Sequence, residues 1–209
     1  MTSSPSPPFT VVKVGGSLLE WPDLPERLHG FLNEQLGDDT RPLLVVGGGK
    51  SVDVLRDLDR IHRLDVTASH LLAIRALDLT SAILAHLLIN SFIVENEYEL
   101  RACWERGVIP ILAPWRFLQA QARDSAAELP ASWEVTSDSI AAWVAERLGA
   151  DRLILLKSAD LPAGSSRTQA AAAGFVDPHF PIAARDLENV AYRNLRDDVG
   201  VIITLSDDE

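Results

Sequence analysis

Apolar residues along the chain fall into short, nearly continuous runs separated by longer stretches in which they recur at helical spacing. The runs at 9–14, 43–46, 93–94, 108–112, 153–156 and 201–204 read as strands. Those with consecutive apolar residues suit parallel strands buried on both faces. Between them, residues 24–36 read as a helix stopped by Gly37, and a second helix begins at Ser51 with Val52, Leu55, Leu58 and Ile61 on one side. Residues 67–88 form a long helix, apolar at Leu71, Ile74, Leu77, Leu84 and Leu88. Ile140, Val144 and Leu148 mark another, closed by Gly149. Strands that alternate with helices predict an α/β fold with a mainly parallel sheet.

The remaining stretches read as irregular. Residues 1–8, rich in Ser and Pro, are expected to be a disordered leader. Residues 119–130 read as a helix or mobile loop, 163–174 as a flexible loop, 185–190 as a short helix and 206–209 as an acidic tail. A chain of 209 residues, 47% hydrophobic and 23% charged, has material for one sizeable core, so 9–209 is expected to be a single domain.

Charge narrows the partners. A formal net charge of -11 argues against nucleic acid and against an anionic membrane surface. It does not exclude an anionic small molecule, because screening acts over about 8 Å and a local cation cluster outweighs distant charge. The single cysteine, Cys103, has no internal disulfide partner, and neither a signal peptide nor an apolar run of membrane-spanning length is visible. A cytoplasmic protein is expected.

Candidate chemistry begins at Lys13, a cation inside a buried run that leads into Gly15, Gly16 and Ser17. Such a lysine is costly unless its ammonium reaches a polar site, and the glycines let backbone N–H groups approach an anion. The plainer reading is an edge lysine that snorkels and a tight turn. Lys157 ends a second apolar run in the same way and leads into Ser158 and Asp160. Gly47, Gly48, Gly49 and Lys50 join a strand to a helix start, where N–H groups and the helix dipole attract anions. Neither glycine loop has Walker or dinucleotide-binding spacing. Asp138 opens the helix that follows Thr136; Ser137 or Asp138 can cap it, or the carboxylate can hold both lysines. Arg56 and Arg75 can position an anionic acceptor, or stand solvated. His70 reads first as a satisfied core or rim histidine, and Trp115 stands at the carboxyl end of a strand with a ligand or a packing role open.

Four ordered segments, Val11–Ser17, Val45–Lys50, Thr136–Ser139 and Leu155–Lys157, resemble the signatures of the amino acid kinase family. The resemblance implies a three-layer αβα sandwich around a mostly parallel sheet, with the phosphoryl acceptor over about 9–130 and ATP over about 131–209. It implies that Lys13 binds the transferring phosphoryl group, Lys157 stabilises charge on the leaving ADP, and Asp138 orients both. Gly15, Gly16, Ser17, Lys157, Ser158 and Asp160 would serve ATP. Gly47, Gly48, Gly49, Arg56 and His70 would serve the acceptor, with N–H groups of Gly15, Gly16, Gly47 and Gly48 donating to the phosphoryl group and acceptor. Mg2+ would bridge ATP oxygens, held chiefly by phosphates and water, and a homo-oligomer is expected.

The stretch after Lys157 departs from the acidic, glycine-bearing turn of many members, and the protein is expected to lack long regulatory additions. The segment 55–74 further resembles a subgroup that phosphorylates aminomethylfuran methyl phosphate, a phosphate monoester used in making methanofuran. A small-molecule kinase giving a diphosphate is therefore the leading expectation. The alternatives are a carboxylate kinase giving an acyl phosphate, and a nucleotide-binding protein without transfer.

Overall fold

The computed structural model describes residues 8–36, 40–121, 129–198 and 200–207. Its strands are β1 (Phe9–Val14), β2 (Arg41–Val46), β3 (Ser91–Val94), β4 (Ile109–Leu112), β5 (Arg152–Lys157), β6 (Val190–Asn194) and β7 (Ile203–Thr204). They lie side by side in the order β3-β4-β2-β1-β5-β6-β7, and every neighbouring pair is parallel except the antiparallel β6 and β7. From β1 the chain first builds outward through β2, then returns to add β5 on the other side. The carboxyl end of β1 is thus a topological switch point, the place where open α/β sheets form a crevice.

Eight described α-helices cover the sheet: α1 (Leu24–Leu36), α2 (Gly49–His62), α3 (Val66–Leu87), α4 (Glu97–Glu105), α5 (Pro114–Gln121), α6 (Ser137–Leu148), α7 (Arg167–Ala172) and α8 (Phe180–Ala183). Alternate strand residues feed two cores, because successive side chains point to opposite faces. Val11, Leu153 and Leu155 pack with Ile140 and Val144 of α6, while Val12, Val14, Ile154 and Leu156 pack with Leu28 and Phe31 of α1. This is the expected three-layer sandwich.

Several elements differ from the sequence expectation. The short helix expected at 185–190 is not formed; β6 starts at Val190 instead, drawn into register with β5 by pairs such as Leu153 with Val190 and Leu155 with Tyr192. Polar Arg193 and Asn194 disguise the strand, yet Arg193 is buried over the Phe31 ring. The loop expected across 163–174 contains α7, started by a capping box between Ser166 and Gln169. Helix α4, capped by Asn96, was not anticipated. The last strand shortens to Ile203–Thr204, and 122–128 of the helix or loop expected at 119–130 lie outside the described residues. Residues 1–7 of the leader, Gly37 and the last two residues of the acidic tail also lie outside them.

Helix α3 also revises the expectation of no membrane-length apolar segment. With 22 residues and a mean hydropathy of 1.3, it is long and apolar enough to cross a membrane by composition alone. In the fold its Ile74, Leu77 and Leu84 are buried, and it packs on α2, α5 and the sheet.

Candidate active site

Strand parity brings the two lysines together. Lys13 pairs in register with Leu155 of β5, so Lys157, two residues beyond, points to the same face of the sheet. Both ammoniums meet one carboxylate at the start of α6: Lys13 Nζ lies 2.7 Å from Asp138 Oδ1, and Lys157 Nζ lies 2.8 Å from Oδ2. Lys157 Nζ also donates to the Phe175 carbonyl at 2.8 Å. Lys13 is 3% exposed and Asp138 4%, so the triad sits in the protein interior with only Lys157 partly open.

Burial and charge pull on these groups in opposite directions. Burial lowers Lys13 to about 8 and Lys157 adds repulsion, while Asp138 opposes both. For Asp138, burial pushes upward, but the attraction of Lys13 and Lys157 prevails and holds the carboxyl at about 2. The carboxylate is therefore ionised and has both oxygens engaged.

Neither Ser137 nor Asp138 caps α6 through its side chain, contrary to one of the sequence readings. Thr136 is the N-cap residue, and the acceptor comes from a distant loop. Asp177 Oδ2 accepts from Thr136 N at 3.1 Å, Thr136 Oγ1 at 2.8 Å and Ser139 N at 3.0 Å, and Oδ1 accepts from the Ser139 hydroxyl. Sequence reasoning missed Asp177. Its one local signal was an acid before Pro178 with no obvious use.

The two glycine loops touch. A Cβ on Gly16 would lie 2.2 Å from the Gly49 nitrogen, and one on Gly47 would lie 2.6 Å from the Gly16 nitrogen. Gly49 also has φ +49, in the left-handed region that favours glycine. The expected set of N–H donors narrows here: Gly15 N donates to Leu156 O and Gly47 N to Val14 O, each at 2.8 Å, continuing the sheet ladder. Gly16, Gly48 and Gly49 are the loop glycines whose N–H groups the ladder does not use.

Gly16, Ser17, Gly47, Gly48 and Gly49 form one wall of a cavity of about 180 Å3, which Ser137, Arg56 and His70 also line. Lys13, Asp138 and Lys157 do not line it, but Ser137, next to Asp138, and Gly16, three residues past Lys13, do. Arg56 contacts Asp53 at 3.2 Å and stacks over Trp133, 5.3 Å from its ring centre. Trp133, also in the wall, was not anticipated. His70 Nδ1 lies 3.3 Å from Ser132 O, the rim hydrogen bond expected of it, and burial lowers its pKa. Ser158 does not line the cavity but meets Ser17 of that wall through a 2.9 Å hydroxyl contact. Asp160 lies outside the cavity and accepts from Asn194 Nδ2 at 2.9 Å. Arg75 is exposed and stacks on Trp115 at 4.0 Å, away from this cavity.

A sequence profile described as the amino acid kinase family matches residues 8–160. A [5-(aminomethyl)furan-3-yl]methyl phosphate kinase of Methanocaldococcus jannaschii is 26% identical over 193 residues, covering 87% of this chain and 85% of that protein. Aspartate kinase from Synechocystis superposes with a TM-score of 0.67 at 16% identity, covering 96% of this chain; the chain spans only 40% of that protein's length. UMP kinase from Ureaplasma parvum superposes with a TM-score of 0.61 at 14% identity, covering 95% of this chain and all of that one. These two structural likenesses concern the fold.

Proposed function

The chain belongs to the amino acid kinase family of phosphotransferases, and from that premise we propose that it moves the γ-phosphoryl group of ATP onto a small phosphate monoester, giving a diphosphate. The observation that carries the reading is the state of Asp138, which points to an acceptor already ionised; likeness to the methanocaldococcal phosphate kinase favours a monoester over a carboxylate. A carboxylate held at about 2 between two lysines is no base near neutral pH. An acceptor that is already ionised needs none. A dianionic monoester attacks through its own oxygen, the bond from the γ phosphorus to the bridging oxygen of ATP breaks, and the electron pair leaves with ADP; charge balances with no proton transferred.

The protein then supplies position and charge, which is most of what phosphoryl transfer requires. Lys13 holds the transferring group, Lys157 counters charge on the departing ADP, and Asp138 keeps the two ammoniums at fixed positions. Gly16, Gly48 and Gly49 offer close backbone approach, with Arg56 and His70 on the acceptor side and Ser17, Ser158 and Asp160 on the nucleotide side. Mg2+ would enter on ATP and be carried by phosphate oxygens and water, since both Asp138 oxygens are occupied by lysines. The kinship with the methanocaldococcal enzyme makes aminomethylfuran methyl phosphate the first acceptor to try. We read the protein as a cytoplasmic homo-oligomer; exposed Leu72, Leu79, Ile83 and Leu87 along α3 offer a surface for a second copy.

Phosphorus NMR with ATP, Mg2+ and a panel of monoesters and carboxylates tests the reading. Coupled diphosphate resonances growing with ADP are expected. Transfer to a carboxylate alone, trapped with hydroxylamine as the acyl product, would instead establish the second kinase reading. Intact ATP with every acceptor, the panel including aminomethylfuran methyl phosphate, counts against transfer.

A further inference from the structure

A second cavity, of about 230 Å3, adjoins the first. The two share His70 and Ile74 as a common wall, so they are neighbouring compartments along α3. Their chemistry differs. The first is lined by glycine loops, Asp53 and Arg56 together with apolar Val52, Leu77 and Trp133; the second is lined by Leu71, Trp115, Leu118 and Trp143, with no charged side chain among the described residues that line it.

The apolar walls are also well braced. Trp115 lies under the Arg75 guanidinium at 4.0 Å, and its backbone N–H donates to Asp78 at 3.1 Å. Trp143 is 8% exposed and meets Phe117 edge-on at 6.3 Å between ring centres. In the dividing wall, burial favours neutral His70, and Ser132 O fixes Nδ1 as the N–H donor. A neutral, oriented ring tolerates an apolar neighbour where a cation would not.

We propose that the second cavity is an apolar subsite for the organic part of the acceptor, so that the substrate is an amphiphilic phosphate monoester with an apolar ring or chain reaching past His70. This rests on the monoester reading above and extends it. The phosphate is held on the glycine-loop side, and the apolar part gains by leaving water. A short, wholly polar monoester would leave this compartment empty and be a poor substrate.

The probes are n-alkyl phosphates from ethyl to octyl, titrated into the full chain with intrinsic tryptophan fluorescence for affinity and phosphorus NMR with Mg2+ and ATP for transfer. Affinity should tighten by about 4-fold per methylene, up to the length that fills the cavity. Leu71→Trp, at a partly exposed position on α3, and Ala131→Trp, on the facing segment, should each shorten the chain length at which the gain stops. Circular dichroism and Tm confirm that each variant is folded. Chain-length dependence that disappears in the filled variants, with no transfer to any probe, upholds the subsite and counts against the kinase reading. Transfer without chain-length dependence, or dependence unchanged in both variants, overturns the subsite.

Discussion

Lys13 reaches Asp138 across 2.7 Å from the middle of a sheet covered on both sides, and the pair is almost wholly withdrawn from water. An isolated ammonium there would be strongly disfavoured, and so would an isolated carboxylate. Each needs the other, and Lys157 makes the set net positive. A buried site with one surplus positive charge is poised for an anion.

Replacing either member should therefore disable transfer. Lys13→Ala is expected to lower kcat by about 100-fold or more, the scale of losing one preorganised transition-state donor. Asp138→Asn keeps the shape but leaves two facing ammoniums without their counter-ion, so kcat should fall comparably and Tm should drop. Steady-state kinetics and thermal unfolding of the two variants check this; near-normal turnover in Lys13→Ala would remove Lys13 from the chemistry.

The pH dependence follows from the two shifted groups. In the free enzyme Lys13 loses its proton near pH 8, so kcat/KM should decline above that pH. Between about 8 and its ordinary 10.5 the unfolded chain binds a proton that the folded one does not, so this group's contribution to stability rises with pH while activity falls. Asp138 behaves oppositely at the acid end. Its contribution is present above its ordinary 3.8 and is lost as pH falls through about 2, a loss of about 2 kcal/mol. Rate profiles from pH 6 to 10 and urea unfolding from pH 5 to 2 test the two limbs.

Contact between the glycine loops makes Gly16→Ala a severe change. Its new methyl would lie within 2.2 Å of the Gly49 backbone nitrogen, and neither loop can relieve this by turning a flexible side chain. Both loops must separate. Turnover should fall by about 10-fold or more, with lowered Tm; Gly30→Ala, on α1 with no atom near the added methyl, serves as the control and should leave activity unchanged.

Asp177 is expected to matter despite touching neither lysine. Asp177→Ala removes the acceptor for two backbone N–H groups and two hydroxyls at the start of α6. A cost of about 2 kcal/mol or more follows from orphaned buried donors and a lost helix cap. Because α6 carries Asp138, kcat should fall as well. Denaturant unfolding measures the first effect, and unchanged stability would show that water satisfies those donors.

The apolar row on α3 gives a prediction about assembly. Leu79 and Ile83, 54% and 41% exposed, stand one turn apart on that helix. Ile83→Glu should shift the protein toward monomer in light scattering, while the parent chain scatters as an oligomer. A parent monomer at micromolar concentration would refute the homo-oligomer.

Much of this was legible along the chain. The apolar runs ending at Lys13 and Lys157 marked buried strands with a cation at or near the end, and the glycine loops after the first two strands marked anion cradles. The order of those segments, with the helix start at Asp138, carried the family resemblance. Other features had weak local signals. β6 contains Arg193 and Asn194, which read as polar until the fold supplies Phe31 of α1 and Asp160 of the loop after β5 as their partners. The capping role of Asp177 depends on a loop that closes on α6 from far along the chain.

By itself, then, the amino-acid sequence determined the alternation of strands and helices, the positions of the conformationally permissive glycines, and which charged residues lie against apolar runs. These are local properties, set by backbone sterics and hydrophobic periodicity. Tertiary structure decided which residues meet. Parallel register put Lys13 and Lys157 on one face, packing of α6 set Asp138 between them, and the crossing of two loops left room only for glycine. The two adjoining cavities were likewise invisible in the chain, because a cavity is bounded by side chains from distant segments whose meeting depends on the packing of the whole fold.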